Sequence, residues 1–224
     1  MDIKIPYTPR KHQAYLHNQI SKNRWSVLVC HRRFGKTVCM INHLIRSALT
    51  SKNKNPRYAY ISPTFKQSKA IAWDYMKQFT TKIPFTKFNE TELRVDLPNG
   101  SRITLLGSEN SDSLRGIYLD GCVIDEYANV NDKLFPEIIR PALSDRKGYC
   151  VFIGTPQGMN NNFYELYQHA QGADDWFHYK AKASQTKIVD EEELTKAKEV
   201  MGDKKFLQEF ECDWIANIEG AIYG

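Results

Sequence analysis

The chain has 224 residues, of which 42% are hydrophobic and 25% are charged, and its formal net charge is +5. This composition excludes wholesale disorder, and the length allows one large α/β domain, alone or with a small appendage. No run approaches the ~18 apolar residues of a membrane span, and the N-terminus lacks an apolar signal core, so we expect a soluble intracellular protein that binds no membrane. The five scattered cysteines favour reduced thiols over a disulfide frame or a zinc site.

Basic residues are concentrated in the N-terminal third of the sequence. Residues 1–70 hold 14 Lys/Arg and a single acidic residue, whereas residues 151–224 hold 7 Lys/Arg and 13 Asp/Glu. On charge alone, a solvated basic surface and a face for nucleic acid are equally good interpretations. The candidates for DNA contacts are Lys52, Lys54, Arg57, Lys66 and Lys69.

Short apolar runs alternate with helical patterns along the chain. Helices are predicted at about 36–50, 66–80 and 132–144. Strands that are apolar on consecutive residues are predicted at 26–30, 57–62, 121–125 and 149–154. This alternation predicts an α/β fold with a mostly parallel sheet and helices on both faces. Two alternating runs within residues 92–107 flank a Pro-Asn-Gly turn signal and predict an added antiparallel hairpin.

The character of the sequence changes after residue 156. The patterns predict a helix at about 161–171, a strand at 176–183 and an acidic helix at about 190–201. We therefore expect a core of residues 1–156, followed by a small C-terminal lid or linker subdomain of residues 157–224.

A phosphate-binding loop is predicted between the first strand and the first long helix. Gly35, Lys36 and Thr37 complete the pattern GxxxxGK[ST], while Cys30 occupies the position of its first glycine. In such a loop, backbone amides at the helix N-terminus bind phosphates, the lysine neutralises the β and γ oxygens, and the threonine ligates Mg²⁺. The residues expected to bind the nucleotide here are Cys30, His31, Arg32, Arg33, Phe34, Gly35, Lys36 and Thr37.

The two arginines of this loop need a separate interpretation. An arginine beside a triphosphate can stabilise it, hold an acidic neighbour, or reach the γ-phosphate in the transition state. A solvated position at the rim of the loop remains open for Arg32 and, more readily, for Arg33.

An acidic pair at the end of a later strand is the expected partner of the loop. Asp125 and Glu126 end the apolar run that includes Ile124. Asp125 would hold Mg²⁺ together with Thr37, and Glu126 would orient and deprotonate the attacking water. Because a general-base glutamate activates water, hydrolysis is favoured over phosphoryl transfer to another acceptor. The sequence thus predicts an Mg²⁺-dependent ATPase with Lys36 and Glu126 as catalytic residues.

Five motifs occur in order: YTPRKHQ at 7–13, CHRRFGKT at 30–37, SLRGIYLDGCVIDE at 113–126, GTPQG at 154–158 and FLQEFECDWI at 206–215. Over nearly the whole chain they resemble the ATPase domain of the large terminase subunit of tailed double-stranded DNA bacteriophages, the motor that packages genomes into capsids. The resemblance implies a P-loop NTPase fold of the ASCE, RecA-like type. It also implies that Gln13 reads the adenine base, and that Thr155 senses the γ-phosphate and passes its loss to the lid. Capping roles remain open for both residues.

The resemblance offers two candidates for an arginine finger. Arg115 is similar to the arginine that ring-forming terminases insert into the neighbouring subunit's site. Arg32 competes for the same role within its own subunit. A simpler interpretation of Arg115 is an ion pair with Asp112 or Asp120.

Partners and a place of action are also implied by the resemblance. Double-stranded DNA, the portal protein and the small terminase subunit are expected partners. The expected assembly is a homo-oligomeric ring, a pentamer, with a monomer in isolation, acting in the host cell cytoplasm on the portal of the procapsid. Large terminase subunits normally continue into an RNase-H-like nuclease. Because no second set of separated carboxylates follows here, we expect the nuclease domain to be absent and DNA cleavage to need a longer chain.

Two other functions remain open from the sequence. A helicase-like DNA translocase shares these motifs but needs a second RecA-like domain, for which the last 70 or so residues leave no room. A nucleotide-gated DNA-binding module would hold ATP without turnover, as the basic N-terminal third allows.

Overall fold

The computed structural model describes residues 5–109 and 111–215. Its strands are β1 (Trp25–Cys30), β2 (Arg57–Ser62), β3 (Lys87–Asn89), β4 (Arg94–Asp96), β5 (Arg102–Gly107), β6 (Gly121–Asp125), β7 (Tyr149–Gly154) and β8 (Trp176–Ala181). Its α-helices are α1 (Lys11–Ile20), α2 (Lys36–Thr50), α3 (Phe65–Gln67), α4 (Asp74–Thr80), α5 (Arg140–Ala142), α6 (Asn162–Gly172), α7 (Ala183–Thr186), α8 (Glu191–Met201) and α9 (Asp203–Phe210). Within these residues the strands form one eight-stranded sheet in the order β3-β4-β5-β2-β6-β7-β1-β8.

The sheet is mostly parallel, as predicted. In the order across the sheet, every neighbouring pair from β5 to the edge strand β8 is parallel. β4 is antiparallel to both β3 and β5. The antiparallel excursion confirms the hairpin predicted in residues 92–107. Gly100 lies in its turn with φ +83°, and its amide donates to the Leu97 carbonyl at 3.0 Å. Only glycine adopts such a backbone conformation without a steric cost, which explains the turn signal.

Helices cover both faces of the sheet, and each face has its own apolar core. On β1, Leu28 packs into the core below α2, while its neighbours Val27 and Val29 pack into the core on the other side, below α6. All three side chains are fully buried. Successive strand residues point to opposite faces, so a strand buried on both sides has no position that faces solvent. This is why the predicted strands read as continuous apolar runs.

Two predicted helices are less regular than expected, and the predicted helix at 66–80 contains a π-helical segment, Ser68–Trp73, between α3 and α4. Residues 132–144 contain a π-helical segment, Leu134–Ile139, that leads directly into the three-residue α5. Pro136 and Pro141 lie within these turns. Proline has no amide hydrogen to donate and disfavours the regular i to i−4 ladder, which accounts for the irregular winding.

The C-terminal region contributes to the main sheet. β8 pairs in parallel with β1 over six residues, and α6 packs against β1 and β8. The division at residue 156 stays a prediction, but these contacts attach the chain up to Ala181 to the sheet. In the described part of the chain, no helix combines the length and apolar character needed to cross a bilayer.

Candidate active site

The phosphate loop leaves the end of β1 and enters α2 as predicted. Gly35 precedes the helix with φ +86°, and a Cβ atom there would lie 3.0 Å from Gln13 Nε2. Lys36 is the first helical residue, and its Nζ donates to Thr155 Oγ1 at 3.1 Å and to the Cys30 carbonyl at 3.5 Å. Both acceptors are neutral, so they do not neutralise the charge of Lys36. This charge faces the cavity that is described below.

Three side chains of the loop face the protein interior. Cys30, His31 and Phe34 are fully buried. His31 contacts the Arg32 carbonyl through Nδ1 at 2.6 Å and the Thr186 hydroxyl through Nε2 at 2.8 Å. Burial lowers the pKa of His31, so the ring is neutral at neutral pH. These side chains pack beneath the loop and do not face the solvent. If these three residues bind the nucleotide as predicted, they do so through their backbone groups.

The acidic pair lies at the end of β6. The Tyr60 hydroxyl donates to Asp125 Oδ2, and the Glu126 amide donates to Oδ1 at 2.9 Å. Burial raises the pKa of the Asp125 carboxyl. Burial, with the neighbouring Asp125 charge, also raises the pKa of Glu126 to about 7, although Lys36 opposes the shift. Glu126 has φ +48°, a costly conformation for a side-chain-bearing residue that turns it away from the strand direction.

One cavity of about 350 Å³ brings these elements together. It is lined by Arg32, Lys36, Glu126, Thr155, Gln157 and Glu209. The loop follows β1, the acidic pair follows β6 and Thr155 follows β7, and these strands run parallel. Since the carboxyl ends of parallel strands meet at one edge of a sheet, residues far apart in sequence converge there.

Glu209 is a cavity residue to which the sequence assigned no role. Its backbone carbonyl accepts a hydrogen bond from the Arg32 amide at 2.8 Å, and its carboxylate lies 3.9 Å from the Arg32 guanidinium and 2.9 Å from Lys205 Nζ. The sequence feature that could have identified Glu209 is its place in the motif at 206–215. No local pattern predicts that α9 packs against the phosphate loop. The Arg32 side chain is 58% exposed, so it stands at the rim of the cavity.

Arg115 lies outside this cavity. Its Nη2 is 3.6 Å from Glu137 Oε2, and the two residues line a separate cleft together with Asp145. Asp120, one of the two partners considered for Arg115, accepts from the Arg57 amide and lies 4.0 Å from the Arg146 guanidinium. The Asp112 side chain lies outside the described residues.

Gln13 caps the start of a helix and also contacts the phosphate loop. Its Oε1 accepts from the Arg10 amide at 3.0 Å, which caps the start of α1. Its Nε2 donates to the Gly35 carbonyl at 3.2 Å. The side chain is therefore fixed beside the phosphate loop, and reading of the base stays a prediction.

The five basic DNA candidates do not form one patch. Lys52 and Lys54 precede β2, whereas Lys66 and Lys69 follow it on the helical segment that begins with α3. They therefore lie toward opposite ends of a six-residue strand that crosses the sheet.

The donor set at the loop fits a magnesium ion that is shared with a nucleotide. The Tyr60 hydroxyl interacts with both Asp125 and Thr37, so these two predicted ligands lie close together. Among the residues that the structure describes, no group of three or more His, Cys, Asp or Glu side chains could cage a metal. Mg²⁺ is commonly held by one or two protein oxygens and the substrate phosphates, as this arrangement allows.

The strand order defines the class of the protein. β7 lies between β1, which leads into the phosphate loop, and β6, which carries Asp125. An additional strand at this place distinguishes the ASCE class of P-loop NTPase folds. The profile of the family "Terminase large subunit, T4likevirus-type, N-terminal" matches residues 29–223. The chain therefore belongs to this family of terminase large subunit N-terminal domains.

Individual relatives agree with this assignment. The chain is 26% identical to the terminase large subunit of Escherichia phage T5, over 96% of this chain and 50% of the relative. The large terminase ATPase domain of Thermus phage P74-26 superposes with a TM-score of 0.78 at 21% identity, covering 94% of this chain and 95% of that domain. A large terminase from a thermophilic bacteriophage, in complex with ADP, superposes with a TM-score of 0.79 at 15% identity, covering 91% of this chain and 53% of that one. The chain thus spans about half the length of the T5 relative.

Proposed function

We propose that this chain is the ATP-hydrolysing motor domain of a phage terminase large subunit, and that it couples hydrolysis to the movement of double-stranded DNA into a procapsid. The observation that carries the proposal is the convergence of Lys36, Glu126 and Thr155 on one cavity. Relatives described as a large terminase ATPase domain and as a large terminase bound to ADP or ATP-γ-S support ATP as the substrate.

Three of the residues that line the cavity have a chemical task in phosphate binding or hydrolysis. The amides at the start of α2 bind the phosphates, and Lys36 neutralises the charge that develops on them. Glu126 accepts the proton of the attacking water, for which a pKa of about 7 is well suited. The arginine finger, which stabilises the charge of the transition state, has two candidates. Arg32 would act from the rim of the chain's own cavity, whereas Arg115 would act from a neighbouring subunit.

Thr37 and Asp125 would hold Mg²⁺, which supplies charge neutralisation of the phosphate oxygens when bound. Tyr60 keeps the Asp125 carboxylate oriented toward Thr37. Thr155, which is hydrogen-bonded to Lys36, is placed to respond when the terminal phosphate leaves. The proposed lid, residues 157–224, would respond by moving its part after β8, because β8 itself is paired with β1.

The expected partners follow from the same proposal. They are double-stranded DNA, the portal protein, the small terminase subunit and further copies of this chain in a ring, at the procapsid in the host cytoplasm. Nuclease activity is assigned to a longer chain.

ATP binding and hydrolysis by two variants would test the proposal. Replacing Glu126 with Gln removes the base but not the phosphate contacts, so hydrolysis should fall by at least ~100-fold while ATP affinity stays within a few-fold. Replacing Lys36 with Ala should abolish nucleotide binding. ATP affinity that is unchanged by Lys36→Ala would refute the phosphate-loop assignment. A wild type that binds ATP but shows no turnover, with or without DNA and portal, would favour the nucleotide-gated module.

A further inference from the structure

A series of contacting polar side chains connects α1 to α2 behind the phosphate loop. The rings of His17 and His43 are nearly parallel, with centroids 5.3 Å apart, and their Nδ1 atoms lie 3.1 Å from each other at the facing ring edges. On the other side of His17, Nε2 lies 3.0 Å from the Tyr7 hydroxyl. The Tyr7 hydroxyl in turn lies 3.5 Å from Gln13 Oε1. Both imidazoles are more than nine-tenths buried, whereas Tyr7 is half-buried.

The direction of the hydrogen bonds follows from what each atom can do. Gln13 Oε1 can only accept, so Tyr7 donates to it. The Tyr7 oxygen then accepts from His17 Nε2–H, which leaves His17 Nδ1 without a hydrogen. His17 Nδ1 therefore accepts from His43 Nδ1–H. Two facing Nδ1 atoms at 3.1 Å need one donor and one acceptor, and this assignment provides them.

Both rings must be neutral for this arrangement. Burial lowers the pKa of His17 to about 4 and the pKa of His43 to about 3. The other titratable or charged groups that face the pair are Cys39 and Arg46 from α2, Tyr149 from β7, and Tyr7 and Arg10 from the N-terminal segment. The pair thus stays uncharged at neutral pH, and its single shared hydrogen is retained.

The two helices carry the two ends of the nucleotide site. Gln13 and His17 are one turn apart on α1, and His43 lies on α2, whose first residue is Lys36. Since side chains four residues apart share a helix face, the Gln13 side chain and the histidine contact lie on the same side of α1. Fixing His17 to His43 therefore fixes Gln13 relative to Lys36.

We propose that Tyr7, His17 and His43 form a brace that positions Gln13 against the phosphate loop, and that they are positioning residues for recognition of the nucleotide base. The inference rests on the proposed ATP site. The brace is distinct from the phosphate contacts, because the described hydrogen bonds join it to the loop through Gln13 and the Gly35 carbonyl and do not involve Lys36 or Thr37. Its loss should weaken base recognition and leave triphosphate binding intact.

Equilibrium binding of ATP, GTP and inorganic tripolyphosphate separates the two contributions. Tyr7→Phe keeps the ring and removes the hydroxyl, and His43→Phe keeps an aromatic ring and removes the donor. Each should lower ATP affinity by about 3- to 10-fold, as expected for one hydrogen bond, and reduce the preference for ATP over GTP. Tripolyphosphate affinity should change less than about twofold, because that ligand has no base. His43→Asn, whose amide can donate near the former Nδ1, should restore part of the ATP affinity.

Tyr58→Phe is the matched control. Tyr58 is a buried tyrosine whose hydroxyl donates to the Ser47 carbonyl of α2, and none of its described hydrogen bonds or ring contacts involves His17 or His43. Its removal should leave ATP selectivity unchanged. Equal losses for ATP and tripolyphosphate in Tyr7→Phe, or no loss for ATP, would overturn the brace. A wild type that does not bind ATP would instead overturn the proposed function, so the two failures are distinguishable.

Discussion

At the scale of single residues, Glu126 is where the local structure departs most from ordinary geometry. It follows the last residue of β6, takes a left-handed backbone conformation, and lies beside a second carboxyl that is buried with it. Each feature costs stability, since two carboxylates in a low-dielectric site repel each other and lose hydration. Retained together in a cavity, these features are typical of a group tuned for proton transfer.

The raised pKa of Glu126 predicts a specific pH dependence of hydrolysis. The base must be deprotonated, and its pKa is about 7, so activity should rise with pH through about pH 7 and level off above it. Below the midpoint the rate should fall about tenfold per pH unit. The steady-state rate at saturating ATP, measured across this interval with binding checked at each pH, tests the assignment. A flat profile would show that Glu126 is not the group whose proton limits turnover.

At the scale of secondary-structure elements, α9 joins two parts of the site that are far apart in sequence. Gln208 is buried and donates to the Pro156 carbonyl at 2.6 Å, while Glu209 accepts from the Arg32 amide. One turn of this helix therefore contacts both the phosphate loop and the motif that contains Thr155. A rearrangement of either motif would have to break or shift these hydrogen bonds. α9 is therefore the element best placed to move together with the two motifs.

Replacing Gln208 with Leu should loosen this connection. The Pro156 carbonyl would lose its buried donor, at a cost of about 1–3 kcal/mol in the free energy of unfolding. For a domain of this size, thermal denaturation should show a midpoint lowered by roughly 2–4 °C per kcal/mol. Gln171→Leu is the control, because Gln171 is an exposed position on α6. A Gln208 variant as stable as this control would mean that the contact does not hold α9 in place.

The sequence was sufficient where the signal is local. β1, β2, β6 and β7 are mostly apolar on consecutive residues because both sheet faces are covered, and their bounds agree with the predicted runs within about one residue. The sequence was insufficient where contacts between residues far apart in the chain determine the structure. The pattern at 176–183 predicted a strand, but not that β8 would pair with β1. The hydrogen bonds of His17 to His43 and of Arg32 to Glu209 are likewise tertiary, and neither has a sequence signature.

At the scale of the whole molecule, the two arginine-finger candidates lie in different environments. Arg32 lines the cavity that contains Lys36 and Glu126, whereas Arg115 lies in another cleft beside Glu137. An arginine that acts from the second position needs a neighbouring copy of the chain to complete the site. The choice between them is therefore a choice between a self-sufficient subunit and an assembly whose activity requires contact between subunits.

Mixing two inactive variants decides between these arrangements. In a ring, a chain with Arg115→Ala keeps a normal Glu126, and a chain with Glu126→Gln keeps a normal Arg115. If Arg115 acts across the interface, a mixed ring contains some interfaces with both groups intact, so hydrolysis should recover to a fraction set by the mixing ratio, while each variant alone stays inactive. Because Arg32 and Glu126 line the same subunit's cavity, a finger at Arg32 would leave Arg115→Ala rings active before any mixing. The ratio of recovered to wild-type activity, under conditions where ring formation is verified by mass, therefore reports which arginine completes the site.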